Sequence, residues 1–202
     1  MNGAVWLMRH GMLPPNPERR FVGQRDIVLS ELGRKQALSW RQYLANIPFT
    51  AIVSSDLSRC METALLIKGE RNIPIVQEPA FREISLGAWE GLTPNEVEKR
   101  FPGAYAERGL DMACFRPEGG ESFADLASRV LPAFGKLAVR YAGLPLLIVA
   151  HAGVNRIIIA DYMAISLQNI LDIPQSYACC VQLFAGDFTM HPQGEESYVT
   201  IQ

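Results

Sequence analysis

The sequence predicts an α/β protein: a three-layer α/β/α sandwich with a mostly parallel central sheet and a C-terminal antiparallel hairpin. Three observations carry this. Apolar runs too short for helices are each followed by a stretch of helical period, the pattern of parallel strands joined by crossover helices. The last third instead holds two strand-like runs around a Gly–Asp turn. Composition agrees, because 49% apolar and 20% charged residues in a 202-residue chain are ordinary globular proportions that argue against disorder.

The first run, Ala4–Met8, is bounded by the turn Arg9–His10–Gly11 and reads as a buried strand. Residues 30–47 form a helix starting at a Ser30 N-cap, with Leu32, Leu44 and Ile47 near one face. A second strand, "AIVSS" at 51–55, leads into a helix over Asp56–Lys68. At 93–101, Thr93 caps, Pro94 suits the first helical position and Glu96 completes a capping box. Residues 121–143 give a long amphipathic helix with a bend at Pro132. "LPLLIVAH" at 144–151 is the third strand, followed by a helix over Gly153–Met163. "YACCVQLFAGDFTMHP" gives the hairpin, and "SYVTI" adds a final short strand. No repeat, linker or low-complexity segment divides the chain, so residues 1–202 are expected to form one domain.

Charge and cysteine content exclude several functions. With 19 basic and 21 acidic residues, a net charge of −2 and no basic run, the chain is not expected to bind nucleic acid. Any anion it handles should be small and held by a few placed arginines. Cys60, Cys114, Cys179 and Cys180 lack metal-ligand spacing and a disulfide pattern, and Cys179–Cys180 falls in a strand-like run that suits core packing. No signal peptide and no run of 18 apolar residues is present, so a cytoplasmic protein without membrane contact is expected.

Ligands of open parallel sheets bind beyond the carboxyl ends of the strands. Three predicted strand ends, "RHG" (9–11), "SSDLSR" (54–59) and "AHAG" (150–153), bring Arg9, His10, Arg59 and His151 to one crevice. Arginine forks match phosphate oxygens, and Arg59 falls in a first helical turn, where anions are favoured. A cation beside His10 disfavours its protonation, and a neutral imidazole is either a nucleophile or a metal ligand. A metal would need a third donor, for which His10 and His151 would have to recruit His191 from the distant hairpin. Two arginines beside the site weigh against a dication there, so neither metal nor cofactor is expected. Each residue also has a plainer reading: a satisfied strand-end histidine, a solvated arginine, or, for Asn16 in its proline-rich loop, a turn former.

"LMRHG", "SSDLSRCMETA", "REISLGAWEG" and "VAHAGVNR", in that order, resemble the histidine phosphatase superfamily in its phosphoglycerate-mutase-like branch. The match runs from residue 5 to about residue 160. The resemblance implies that His10 is the histidine that becomes phosphorylated and that Arg9 and Arg59 bind the phosphoryl group. It implies His151 as the second pocket histidine and Glu83 as the proton donor. Asn16 and Gly23–Gln24 keep the spacing of the loop lining the substrate pocket, so Asn16 and Gln24 are carried as phosphate-side contacts. "EGGES" at 118–122 is similar to a family stretch and reads as a helix cap. Where the family usually writes "RHGET" or "RHGES", this chain has Met12 and Leu13, removing a carboxylate and a phosphate-contacting hydroxyl.

The implied activity is metal-independent hydrolysis of a small phosphate monoester through a phosphohistidine. "RFVGQRDIVLSELGRKQA" is similar to α-ribazole-5′-phosphate phosphatases and to broad-specificity sugar and nucleotide phosphatases, which leaves the substrate open. The missing hydroxyl at Leu13 and the short chain favour a phosphatase over a phosphoglycerate-type mutase. A non-catalytic phosphoester-binding module on the same fold is the other alternative, although such a module would be expected to lose His10 or Glu83. A homodimer is left open. Residues 100–120 are expected to cover the pocket.

Overall fold

The computed structural model describes residues 4–184 and 187–191. In chain order the elements are β1 (Val5–Arg9), α1 (Glu31–Tyr43), β2 (Ala51–Ser54), α2 (Ser58–Lys68), β3 (Ile75–Gln77), α3 (Pro94–Arg100), α4 (Ala104–Leu110), α5 (Phe123–Arg140), β4 (Leu146–Ala150), α6 (Ala152–Met163), β5 (Cys180–Phe184) and β6 (Asp187–His191). Among the described residues the strands form one six-stranded sheet in the order β3-β2-β4-β1-β5-β6. The first four of that order are parallel; β5 joins β1 antiparallel and β6 completes the hairpin. This is the expected mostly parallel sheet with its C-terminal hairpin. The expected turn at 185–186 and the expected strand at "SYVTI" lie outside the described residues.

Side chains alternate across a strand, and here both faces are apolar. Trp6, Met8, Ile52, Leu147 and Val149 pack on one side against Ala37, Trp40 and Leu44 of the α1 region and Cys60, Ala64 and Ile67 of α2. Leu7, Ala51, Val53, Leu146, Ile148 and Ala150 pack on the other side against Leu126, Val130 and Leu137 of α5 and Val154, Ile157 and Ile158 of α6. Two separate cores with the sheet between them make the three layers. At ~25 cal/mol per Å² of apolar surface removed from water, these cores are the main stabilising contribution.

Capping follows the sequence closely. Ser30 caps α1, Thr93 with Glu96 and Ser122 with Asp125 form capping boxes on α3 and α5, and "EGGES" thus serves to start a helix. The helix α5 continues through Pro132 as one element. One face assignment differs: Leu32 is exposed, and α1 buries Gly33, Ala37 and Trp40 instead. The cause is a close crossing of backbones. A Cβ on Gly33 would lie 2.2 Å from the Met12 carbonyl, and one on Gly11 would lie 2.5 Å from the Gly33 carbonyl. Only glycine permits this approach, and it turns α1 so that Leu32 faces out.

Register places the site. Arg9 pairs with Ala150, and Ser54 with Val149, so β1, β2 and β4 end at one level. The residues that follow, His10, Ser55 and His151, therefore emerge together. The segment before β5 crosses this end: the amide of Ala178 donates to the His10 carbonyl, and the amide of Arg9 donates to the Cys179 carbonyl. The Trp40 indole N–H anchors the segment from below by donating to the Ala178 carbonyl at 2.7 Å.

Candidate active site

His10 is buried, 3% exposed, on the first residue after β1. Its Nδ1 lies 2.8 Å from the Gly11 carbonyl. A carbonyl can only accept, so Nδ1 carries a proton. Burial, then the charges of Arg9 and Arg59, hold the ring well below the ordinary histidine pKa, so it is neutral at pH 7. The lone pair therefore sits on Nε2. That nitrogen makes no hydrogen bond among the described residues.

The turn carrying His10 is tied down. The Gly11 amide donates to the Thr63 hydroxyl at 3.1 Å, and that hydroxyl donates to the Arg59 carbonyl at 2.7 Å. Arg59, 1% exposed in the first turn of α2, is held on three sides. Its Nε donates to His151 Nδ1 at 3.2 Å, and its two terminal nitrogens donate to the carbonyls of Arg25 and Gly23. Each terminal nitrogen keeps a second proton for an anion. Asp26 accepts from the amide and hydroxyl of Ser58, capping α2 from a distant loop.

His151, wholly buried, accepts from Arg59 on Nδ1 and donates from Nε2 to the Ser55 hydroxyl at 2.9 Å. Its ring centroid is 5.2 Å from that of His10. Burial, followed by the neighbouring His10, Arg59 and Arg9, pushes its pKa well below the usual value. Both ring nitrogens of His151 are thus engaged, by Arg59 and by Ser55.

Arg9 lies over the Tyr177 ring, with Cζ 3.9 Å from the centroid, and donates to the Gln175 carbonyl. Its Nε is buried with no partner among the described residues. The Gln175 side chain is in turn held by Asn155 Nδ2 at 3.0 Å. Gln175, Tyr177, Asn155 and Ser55 were not singled out by the sequence. Their link to Arg9 and His151 spans roughly a hundred residues or more, with no motif to signal it, although Ser55 and Asn155 sit inside the family-like stretches.

Glu83 reaches the same point from a loop. Its Oε1 accepts from the amides of Ile84 and Gly153, both at 3.0 Å, the latter in the first turn of α6. The loop is pinned by Arg129, which donates to the carbonyls of Ala80, Arg82 and Glu83 while pairing with Glu121. Gln24 donates from its side chain to the Glu83 carbonyl at 3.0 Å and so helps seat Glu83. Asn16 is exposed, accepts from the Glu18 amide in a local turn, and lines a neighbouring groove of about 760 Å³ rather than the cavity at His10.

That cavity, about 370 Å³, is lined by Arg9, His10, Arg59 and Glu83, with Leu13, Phe21, Tyr105, Arg108 and Tyr177 among its other walls. The segment 100–120 contributes through α4: Tyr105 and Arg108 face the cavity, while Phe101, Met112 and Phe115 pack onto the core. Among the described residues no cluster of three or more metal-ligating side chains occurs, and no helix is long and apolar enough to cross a membrane.

Two outcomes follow from this geometry. A Cβ at Gly153 would come within 2.4 Å of Glu83 Oε1. Gly153→Ala is therefore expected to displace the carboxylate and lower kcat by ~10–100-fold while the fold persists, as steady-state kinetics with circular dichroism would read. The second concerns pH. His10 and His151 have folded-state pKa values below the unfolded value of 6.5. Below pH 6.5 the unfolded chain takes up protons that the folded chain does not. The stability that neutrality confers is thus complete above pH 6.5 and is lost as pH falls, by up to ~1.4 kcal/mol per pH unit per histidine. Urea denaturation between pH 7.5 and 5 should show this slope, and it should be shallower in His10→Gln.

Comparison with known proteins adds family evidence. A family model described as the histidine phosphatase superfamily (branch 1) matches residues 5–190. A glucosyl-3-phosphoglycerate phosphatase of Mycolicibacterium vanbaalenii is 36% identical over 170 residues, covering 81% of this chain and 75% of that protein. The structure of Bacillus stearothermophilus YhfR superposes with a TM-score of 0.83 at 32% identity, covering 96% of this chain and 98% of that one. The α-ribazole phosphatase of Shigella flexneri superposes with a TM-score of 0.83 at 24% identity, covering 93% and 94%, a likeness of fold.

Proposed function

Because the chain belongs to the histidine phosphatase superfamily, branch 1, and is a phosphatase, we propose that it hydrolyses small phosphate monoesters through a phosphohistidine on His10, with no metal ion taking part. One observation carries the reading: a buried, neutral imidazole whose Nδ1 proton is committed to a carbonyl, leaving Nε2 as the lone-pair nitrogen on a cavity shared with Arg9 and Arg59.

In the first half-reaction Nε2 attacks phosphorus, the P–N bond forms, and the bond to the leaving oxygen breaks in line with it. Arg9, on the cavity wall, and the spare protons of Arg59 bind the equatorial oxygens as charge builds. Glu83 is the general acid of this step, passing a proton to the departing alkoxide. In the second half-reaction Glu83 takes a proton from water, the water oxygen attacks phosphorus, and His10 leaves neutral. His151 acts through Arg59, and Gln24 through Glu83, as positioning residues. The arginines supply the positive charge that a metal would otherwise bring.

The natural ester is a further question. The relatives' names point to different substrates, and α-ribazole 5′-phosphate belongs in any panel beside phosphoglycerates. Cysteines that are all free, with Cys114 exposed, suit a reducing compartment such as the cytoplasm. Every group named comes from one chain, so the reading needs no second copy.

The test is chemical trapping in excess EDTA. Wild-type protein quenched during turnover of a ³²P-labelled aryl phosphate should carry a base-stable, acid-labile label that maps to His10. Turnover that stops with the chelator, or a label elsewhere, would overturn the reading.

A further inference from the structure

The stretch "REISLGAWEG" holds, besides Glu83, a carboxylate that takes no part in the steps above: Glu90, half-buried. Its Oε1 accepts from the Gln24 amide at 2.9 Å and from the Leu86 amide at 3.1 Å. It also fills the space where a side chain at residue 23 would go. A Cβ on Gly23 would come within 2.1 Å of that oxygen, and the φ of +57° at Gly23 favours glycine in any case. The backbone nearby is joined as well: the Phe21 amide donates to the Leu92 carbonyl, and the Gly91 amide to the Phe21 carbonyl. Buried Trp89 packs on Phe21, with ring centroids 5.4 Å apart.

The turn that Glu90 holds serves both halves of the site. The Gly23 carbonyl accepts from one terminal nitrogen of Arg59 at 2.9 Å and the Arg25 carbonyl from the other at 2.7 Å. The Arg25 amide closes the turn on the Val22 carbonyl. From the same turn, the Gln24 side chain donates to the Glu83 carbonyl at 3.0 Å. Leu86, the other residue that Glu90 binds, follows Glu83 in the same loop. One carboxylate oxygen thus bridges the turn that aims a guanidinium and the loop that carries the general acid. Truncating it would leave two amides without their acceptor. A misplacement of about 1 Å at a reacting group costs on the order of 10²-fold in rate.

We propose that Glu90 is a positioning residue for phosphoryl transfer, setting Arg59 and Glu83 together through the Gly23–Gln24 turn. This rests on Arg59 binding the phosphoryl group and Glu83 acting as general acid. It adds a residue that is not among the walls of the cavity at His10 and acts only through its neighbours. What the position needs is an acceptor rather than a charge. A glutamine there presents its amide oxygen to the same two amides.

The test reads the two arms separately. Binding of inorganic phosphate, measured by calorimetry without turnover, reports Arg59. The single-turnover rate of phosphohistidine formation, compared between an alkyl and a p-nitrophenyl ester, reports Glu83, because only the alkyl ester needs its proton. Glu90→Ala should weaken phosphate binding by ~10-fold or more and slow the alkyl ester by a further ~10-fold or more relative to the aryl ester. Glu90→Gln should restore both to within ~3-fold of wild type. Gln24→Ala cuts only the arm to Glu83, so it should produce the split between esters and leave phosphate binding intact. Adding Glu90→Ala to it should widen the split by less than the product of the two single effects. Glu90→Asp, too short to reach both amides, replaces the alanine variant should that fail to fold. Only one of the two effects in Glu90→Ala, or a lowered urea midpoint with neither, would overturn the proposal. So would losses that glutamine does not rescue. A wild type that never labels on His10 would instead overturn the hydrolytic reading, with the phosphate affinities still reporting whether Glu90 holds Arg59.

Discussion

His10→Ala is expected to lower phosphate release by ~10⁴-fold or more and to abolish the acid-labile protein label, while the circular dichroism spectrum is retained. The size of the effect follows from the removal of a reaction path, because losing the nucleophile of a covalent enzyme typically removes most of its rate enhancement. Arg9 and Arg59 survive the change, so binding of inorganic phosphate should weaken far less than turnover. His10→Gln should behave alike: it restores a hydrogen-bond donor toward the Gly11 carbonyl but offers no nucleophilic nitrogen. Residual release within 100-fold of wild type would mean that water attacks directly, and the imidazole would then be only a binding group.

Glu83→Gln is the second large effect, and its signature is a split between substrates. An alkyl ester needs the proton that Glu83 supplies, so a loss of ~10²–10⁴-fold is expected. A p-nitrophenyl ester leaves as a stable phenolate and forms the phosphohistidine without that help. The block then moves to the second half-reaction, where water must lose a proton to Glu83. Rapid-mixing measurements should show a burst of nitrophenolate near one equivalent per chain, a slow steady state, and phosphorylated protein accumulating. Glutamine can still accept from the Gly153 and Ile84 amides that hold the carboxylate, so the loop keeps its place. Equal losses on both esters with no accumulation would reduce Glu83 to a structural group.

The parts of this molecule that the sequence revealed are those decided by local pattern. The strands β2 and β4 are short runs in which every residue is buried, and such runs have no amphipathic alternative. By contrast β3 is three residues long, lies at a sheet edge and is never fully buried, so it leaves no comparable trace. The same holds for α4, which buries nothing. The rotation of α1 that exposes Leu32 is set by Gly33 meeting the Met12 carbonyl, a contact that no periodicity in residues 30–47 encodes. At the site, the strand-end rule was enough to gather Arg9, His10, Arg59 and His151. Glu83 came only through family resemblance, because it lies on a loop placed by Arg129. That His10 owes its neutrality to burial before its arginine neighbours was also not legible, since burial is a property of the fold. The Gln175–Asn155 support beneath Arg9 is long-range and unmarked.

The position of β1 in the sheet has a consequence for how this protein can change. His10 follows a strand flanked on both sides, by β4 and by β5, and its own amide is bonded to the Ala150 carbonyl. The amide of such a residue opens only with the sheet around it, so its local opening free energy approaches that of global unfolding. The rim of the cavity differs: α4 buries none of its residues and residues 14–19 are exposed, so few buried contacts oppose their opening. The proposed nucleophile and the rim of its cavity therefore lie in regions of opposite mechanical character. Substitutions at the rim should therefore leave the placement of His10 unchanged, so that the lining of the cavity can vary while its centre stays fixed.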